Sequence, residues 1–202
     1  MQGPMIRLPH KLVALRTAIL FLSVYLVSLA VWIPVKDRYG YAITVIASKL
    51  AAGLKDARLE EITADKDIIQ TTFSPYRKRS GVLVDIPVPV SAYTFNAPLT
   101  FGIMAALYPF ISRRARAYGE ALVMLLFVHF LFVFSLEAKE LTQVFMSRGI
   151  VALSLPRLML YQFLWSFVDN MVIRFEPFLI GFYVYVRFGA KGAAEGGPAG
   201  RG

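Results

Sequence analysis

The chain has 202 residues, 57% of them hydrophobic and 17% charged, with 22 Lys and Arg against 13 Asp and Glu, a formal net charge of +9 and no cysteine. Soluble domains carry roughly 25% charged residues; the lower value here, with a mean hydropathy of +0.57, marks an integral membrane protein. A soluble enzyme, a disordered tail and a disulfide-built secreted domain are excluded. Without cysteine there is no thiol nucleophile, thiolate metal site or iron–sulfur cluster.

Residues 1–16 are a basic tail with Arg7, Lys11 and Arg16. Residues 17–35, TAILFLSVYLVSLAVWIPV, are 19 uncharged positions, close to the roughly 20 that cross a hydrocarbon core of roughly 30 Å. Trp32 and Tyr39 stand at the far end, where amphipathic rings prefer the interface. The apolar run continues past Ser28-Leu29-Ala30, so it reads as an uncleaved anchor rather than a signal peptide.

Residues 36–94 are the one segment long enough for an aqueous α+β domain, and at 59 residues a marginal one that needs support from the membrane or a partner. Ile43, Ile46, Ala47, Leu50 and Leu54 repeat at helical spacing, predicting an amphipathic helix over Tyr41 to Leu54. It either continues the first span outward or lies on the bilayer. Arg58 to Thr63 and Ile68 to Phe73 read as strands around the turn Ala64-Asp65-Lys66-Asp67. Tyr76 to Gly81 is a basic turn. Val82 to Val90 alternates as a third strand, and Pro87 and Pro89 confine it to an edge or end it there. An open edge can take a guest strand, but prolines blunt this one.

The second span is 95–111, opened by Asn96 and Pro98 as a helix start would be. A basic loop, 112–120, leads to a third span at 121–136 and a loop at 137–157. Residues 158–188 form a fourth helix, spanning or interfacial, with a kink expected near Pro177. Residues 189–202 are a Gly/Ala-rich tail. The expected fold is therefore mainly α, with about four transmembrane helices and a small α+β extracytoplasmic domain between the first and second.

Lys and Arg in short segments set orientation. Arg7, Lys11 and Arg16, then Arg113, Arg114 and Arg116, then Arg187 and Lys191 with Arg201, fall on one side of a four-span chain. That side reads as the cytoplasm of a bacterial inner membrane, with both termini inside and residues 36–94 outside. The segment 36–94 carries nine Lys and Arg against seven Asp and Glu. The excess charge is then a topology signal that fits an anionic leaflet, and no nucleic acid is needed.

Ionisable residues inside a span are costly and face protein or water. Asp169, Asn170, Arg174 and Glu176 are such a group: on a helix, Asn170 and Arg174 are one turn apart, and Asp169 and Glu176 share a face. They read as a polar clamp or substrate site, or as a self-neutralising cluster at an interface. His129, midway along the third span, reads as a helix-packing imidazole bonded to a backbone or hydroxyl group. Two histidines and no cysteine make a metal site improbable. No G-x-S-x-G, H-E-x-x-H, P-loop or G-x-G-x-x-G motif with its context is present, so no enzyme and no cofactor is expected.

The layout, with Tyr93-Thr94-Phe95-Asn96-Ala97-Pro98-Leu99-Thr100 leading into the second span, resembles the accessory membrane proteins of exosortase systems, in particular the exosortase H-associated type. Exosortases are themselves membrane transpeptidases built on Cys, Arg and His; a chain without Cys is not that enzyme. The resemblance implies an accessory role beside a bacterial protein-sorting enzyme and carries over no functional residue. The expected function is binding of a membrane partner, or self-association, by a non-enzymatic protein in the lipid bilayer. The alternative is a transporter or channel subunit using the polar group of the fourth helix.

The topology has a direct check. Reporter fusions after residues 75, 116 and 202 should report outside, inside and inside; any other pattern removes the four-span orientation.

Overall fold

A computed structural model describes residues 10–76 and 81–189. Arg7 and Lys191, the basic turn at 77–80 and most of the Gly/Ala-rich tail lie outside these. The described chain is mostly helical with one small sheet. Helix α1 (His10–Leu54) is followed by strands β1 (Ala57–Asp65), β2 (Ile68–Pro75) and β3 (Val84–Pro89). Then come the short α2 (Val90–Thr94), α3 (Asn96–Leu107) with a terminal 3-10 turn at Tyr108–Phe110, and α4 (Arg114–Ser147). Helix α5 (Leu155–Phe167) runs through a π-helical turn at Val168–Ile173 into α6 (Arg174–Phe188). Among the described residues, three helical stretches are long and apolar enough to cross a membrane: Lys11–Leu54, Val90–Phe110 and Arg114–Ser147.

The amphipathic stretch from Tyr41 to Leu54 is the outer half of α1, whose 45 residues run without a break through Pro34. At ~1.5 Å per residue the helix is about 68 Å long, more than twice a membrane core. Its outer half buries Ile43, Thr44, Ala47, Ser48, Ala51 and Ala52. These are small or β-branched residues that let the sheet lie close.

The sheet has the order β1-β2-β3, antiparallel throughout. Ile69, Thr71 and Phe73 on β2, and Val84, Ile86 and Val88 on β3, are buried and alternate as a half-buried sheet requires. On β1 the inward residues are Ala57, Leu59 and Ile62, a spacing that slips by one because a bulge falls between Leu59 and Glu61. Strand β3 is an edge: Pro87 and Pro89 pair with Gln70 and Ile68, and the chain leaves the sheet after Pro89. The hairpin turn is pinned to α1 where the apolar run stops. Lys36 Nζ donates to Asp67 Oδ1 at 2.6 Å, Ser91 Oγ donates to Asp67 Oδ2, and the Val90 amide donates to the Asp67 carbonyl at 2.8 Å. Burial works against ionisation of Asp67, but Lys36 and Ser91 outweigh it and hold the carboxyl below its usual range.

The sheet has no core of its own. It shares one with the outer halves of α1 and α4, where Phe73, Ile86, Val88 and Tyr93 meet Ala47, Phe132, Leu136 and Phe145. That core forms because α4 does not end with the apolar run at 136. It continues to Ser147, with Ala138, Leu141, Thr142, Phe145 and Met146 buried at helical spacing. The expected loop at 137–157 therefore shrinks to the residues after Ser147. A second core, of Ala97, Met104, Ala121, Leu125, Ile180 and Val184, joins α3, α4 and α6 toward the other end.

That other end carries the basic residues around the start of α4 and the end of α6. Arg116 Nε and Arg187 Nε meet the Glu120 carboxylate at 3.0 and 3.2 Å, and Tyr183 donates to it at 2.8 Å. The Tyr183 bond is the main reason the Glu120 carboxyl is held below its usual range. Ser112 donates from both its amide and its hydroxyl to the Phe188 carbonyl, closing the start of α4 onto the end of α6. Arg113 and Arg114 are exposed beside them, as Lys11 and Arg16 are on the first turns of α1.

The fourth helix departs from expectation at its bend. The irregularity is the π-turn at Val168–Ile173, and α6 passes through Pro177 as helix. Proline supplies no N–H for the carbonyl four residues back, here Ile173. The Asn96 side-chain amide donates to that carbonyl instead, so the ladder loses no partner there.

Two glycines set helix spacing. A β-carbon on Gly181 would stand 2.6 Å from Ile103 Cγ2, and one on Gly40 would stand 2.5 Å from Val90 Cγ1. Both neighbours are β-branched and stiff at χ1. Gly119 has open space around it. Gly181→Ala and Gly40→Ala should each lower stability in detergent by about 1–3 kcal/mol through overpacking. Gly119→Ala should be neutral or gain up to about 1 kcal/mol in helix propensity. Thermal unfolding of the three variants checks the packing; equal effects would show that these contacts do not limit it.

Candidate functional site

Where α1, α3, α4 and α6 converge, polar side chains are enclosed by aromatic ones. His129 of α4 and Glu176 of α6 have almost no exposed surface, at 0% and 1%. His129 Nε2 lies 3.2 Å from Glu176 Oε2, and His129 Nδ1 lies 2.7 Å from the Tyr39 hydroxyl. Asn96 of α3 bonds the Ile173 carbonyl and stands 3.5 Å from Glu176 Oε2. Four helices thus each send one polar side chain to one point. The rings of Tyr39 and Tyr93 meet the imidazole edge-on at 5.6 and 5.5 Å. Tyr93 packs in turn on Phe132, and Trp32 on Tyr39.

The hydrogen bonds constrain the protons. With an ionised Glu176, one arrangement satisfies a neutral imidazole: Tyr39 donates to Nδ1, and Nε2–H donates to the carboxylate. One added proton can be held without moving a heavy atom, either on the imidazole or on the carboxyl group. Glu176 Oε1 has no hydrogen-bond partner among the described residues. The cluster therefore has the composition of a proton-holding group, and of a lock between helices. Among the described residues no group of three His, Asp or Glu side chains is placed to hold a metal ion.

A second buried carboxylate lies further out. Glu137 of α4 is fully buried and accepts a 2.6 Å hydrogen bond from Ser48 of α1. Beside it, Thr71 of β2 donates to the Ile86 carbonyl.

The four residues grouped from sequence do not form one cluster. Glu176 is in the core; Asn170 and Arg174 are exposed, and Asp169 is half-buried on the π-turn. Asn170 bonds only back to the Ser166 carbonyl, and no ion pair joins Arg174 to either acid among the described residues. The π-turn is the reason: a wider turn changes the angular register, so Asp169 and Glu176 no longer share the face that a regular α-helix would give them. His129 has the hydroxyl partner expected of it, in Tyr39. Its acidic partner was not legible, because Glu176 lies 47 positions away. One signal did exist: Pro177 leaves a carbonyl free at Ile173, and a buried amide such as Asn96 is among the few side chains that can take it.

No protein-family model, curated protein or solved structure was found to match the chain.

The lock is open to a double-mutant cycle. His129→Leu or Glu176→Leu alone strands a buried polar group and should cost about 3 kcal/mol or more. The double variant should cost less than the sum of the two by about 1 kcal/mol or more, at the upper end for polar contacts between membrane helices. Unfolding followed by Trp fluorescence in mixed micelles measures this; additive effects would show that the pair is not coupled.

Proposed function

We propose that this chain is a non-enzymatic accessory protein of a bacterial inner membrane that binds a membrane-protein partner along its α5–α6 face. Residues 17–35, 95–111, 121–136 and the last helix cross the bilayer, the basic end lies in the cytoplasm, and the sheet lies outside. The observation that carries the reading is the apolar face of α5 and α6. Helix α5 buries none of its residues. Leu155, Met159, Phe163 and Phe167 stand exposed one turn apart, and Met171, Phe175, Phe178 and Phe182 continue the row on the π-turn and α6. Met159 and Phe163 are both 68% exposed, and Phe182 is 70% exposed.

The helical elements beneath this row are 13, 6 and 15 residues long, about 50 Å at ~1.5 Å per residue. A core of roughly 30 Å covers only part of that length. The outer part lies beside the segment of α4 beyond 136, where Lys139 Nζ stands over the Trp165 ring. A row of large apolar side chains above the hydrocarbon is an interaction surface rather than a lipid surface. A partner helix with an apolar face fits it, and in the sorting reading that partner is a membrane-embedded sorting enzyme. The buried His129–Glu176 pair favours a second reading, a transporter or channel subunit that moves protons; unchanged proton flux in Glu176→Gln would remove it.

Photocrosslinking side chains placed at Met159 and Phe163 in native membranes should give one protein adduct of defined mass. The same probe at Val123, on the lipid-level part of α4, should give lipid adducts. Lipid adducts alone at all three positions would defeat the partner reading.

A further inference from the structure

The end of α1 opens a cleft that the partner reading does not use. Leu54 at the end of α1, Lys55 and Asp56 just after it, Thr142 of α4, and Arg157 and Tyr161 of α5 line a cleft of about 330 Å³. That volume is at the lower end of small-molecule sites. Its lining is more polar than apolar and includes two cations, Lys55 and Arg157.

Lys55 is fixed rather than mobile. Its Nζ donates to Thr142 Oγ1 at 2.6 Å and lies 3.1 Å from the centroid of the Tyr161 ring. Asp56, at φ 50, turns the chain out of the helix, and its carbonyl is held by the Tyr76 amide at 2.9 Å. Yet Asp56 makes no ion pair with either cation, and among the described residues neither Lys55 nor Arg157 has an acidic partner within 4.0 Å. Two like charges are therefore held at one cleft with no carboxylate in ion-pair contact with either, Asp56 being the acid of the lining, and an anion between them would relieve their repulsion. The titratable and charged groups around Lys55 are Asp56, Arg157 and Tyr161. Partial burial, and the nearby Arg157 charge after it, push the Lys55 ammonium down to about 8.

The cleft also adjoins apolar surface: Leu54 in its lining and Leu160, next to Tyr161, are both exposed. We propose that the cleft binds the phosphate group of an anionic amphiphile, with Lys55 and Arg157 as the ligands of the phosphate oxygens and the apolar part lying over Leu54 and Leu160, outside the partner-facing row. Arg157 supplies a planar fork of donors and Lys55 a point charge already oriented by Thr142, the pairing that phosphate esters favour. The site is independent of the partner surface, since it needs no second protein.

The test uses the full chain in dodecylmaltoside micelles, with binding followed by native mass spectrometry and calorimetry. Dioleoylphosphatidylglycerol keeps one negative charge from pH 6.5 to 9.5, so any pH dependence over that range reports the protein. It should bind saturably and more tightly than dioleoylglycerol, which has the same chains and no phosphate. Lys55→Gln and Arg157→Gln should each weaken it by about tenfold or more, the scale of a lost charge-assisted bond. Lys55→Arg should retain binding, and equal melting temperatures would separate this loss from misfolding. Affinity should fall as pH rises through the value near 8, because Lys55 loses its proton there. Inorganic phosphate binding as tightly, and lost in the same variants, would keep the phosphate site and assign it a soluble source. Equal binding of the two lipids, or full binding by the double Gln variant, would overturn the proposal.

Discussion

Helix α1 is the element against which both the helix bundle and the sheet are packed. A backbone in hydrocarbon must satisfy its own hydrogen bonds, so a chain that enters as helix stays helical until it reaches water. Here α1 runs on without a break beyond its uncharged stretch, to Leu54. Its inner half sets α3 at contact distance through Gly102, where a β-carbon would stand 3.1 Å from the Phe21 ring and from Tyr25 Cβ. Its outer half is the floor on which the sheet lies. The Lys36–Asp67 bond then fixes the hairpin turn next to the first charged residue after the apolar run. Sheet and bundle are thus held by one rigid element rather than joined by a linker. A three-stranded sheet too small to fold alone has an α-helical floor ready for it.

The polar groups follow from the same constraint. Placing His129, Glu176 and Glu137 in the core costs desolvation unless each finds a partner. Each partner found lies on a different helix: Tyr39 for His129, His129 for Glu176, Ser48 for Glu137. Apolar packing between membrane helices tolerates sliding, since lipid is as apolar as leucine. A hydrogen bond between buried polar groups does not. These contacts fix the register of α4 against α1 at two heights and of α6 against α4 at one. Asn96 adds α3 by taking the carbonyl that Pro177 frees, so a helix-breaking residue and its remedy sit at the same crossing.

Local pattern made much of this legible. The strands around Ala64-Asp65-Lys66-Asp67, the proline-bearing edge and the apolar runs all follow from periodicities within about ten residues. The bulge at Leu59 to Glu61 was not legible, although the three-residue step from Leu59 to Ile62 is its trace. The reach of α4 to Ser147 was masked by charge, because Glu137, Lys139 and Glu140 end the hydropathic run while Leu141, Thr142, Phe145 and Met146 keep the helical period. The site was half legible. His129 and Glu176 each stand out as ionisable residues in apolar surroundings, but their pairing depends on which helices are neighbours, and no pattern within one helix carries that. The π-turn defeated the reading of Asp169, Asn170, Arg174 and Glu176 as one face, because face arithmetic assumes a constant turn.

The two ends of the α5–α6 segment obey different rules. Helix α6 is held from inside by Glu176, Ile180, Val184 and Phe188, which are all buried. Helix α5 buries nothing, yet it is not detached, since Tyr161 meets Lys55 and Trp165 meets both Phe132 and Lys139. Short amphipathic helices owe their stability to a packed face rather than to propensity. The packed face of α5 is narrow and aromatic, while the wide apolar face points away. Such a helix gains stability from whatever covers that outer face. The π-turn beneath it lets α5 take a rotation independent of the one that the buried pair imposes on α6. The segment is therefore divided by geometry: α6 packs into the bundle through its buried face, and α5 leaves a wide apolar face exposed.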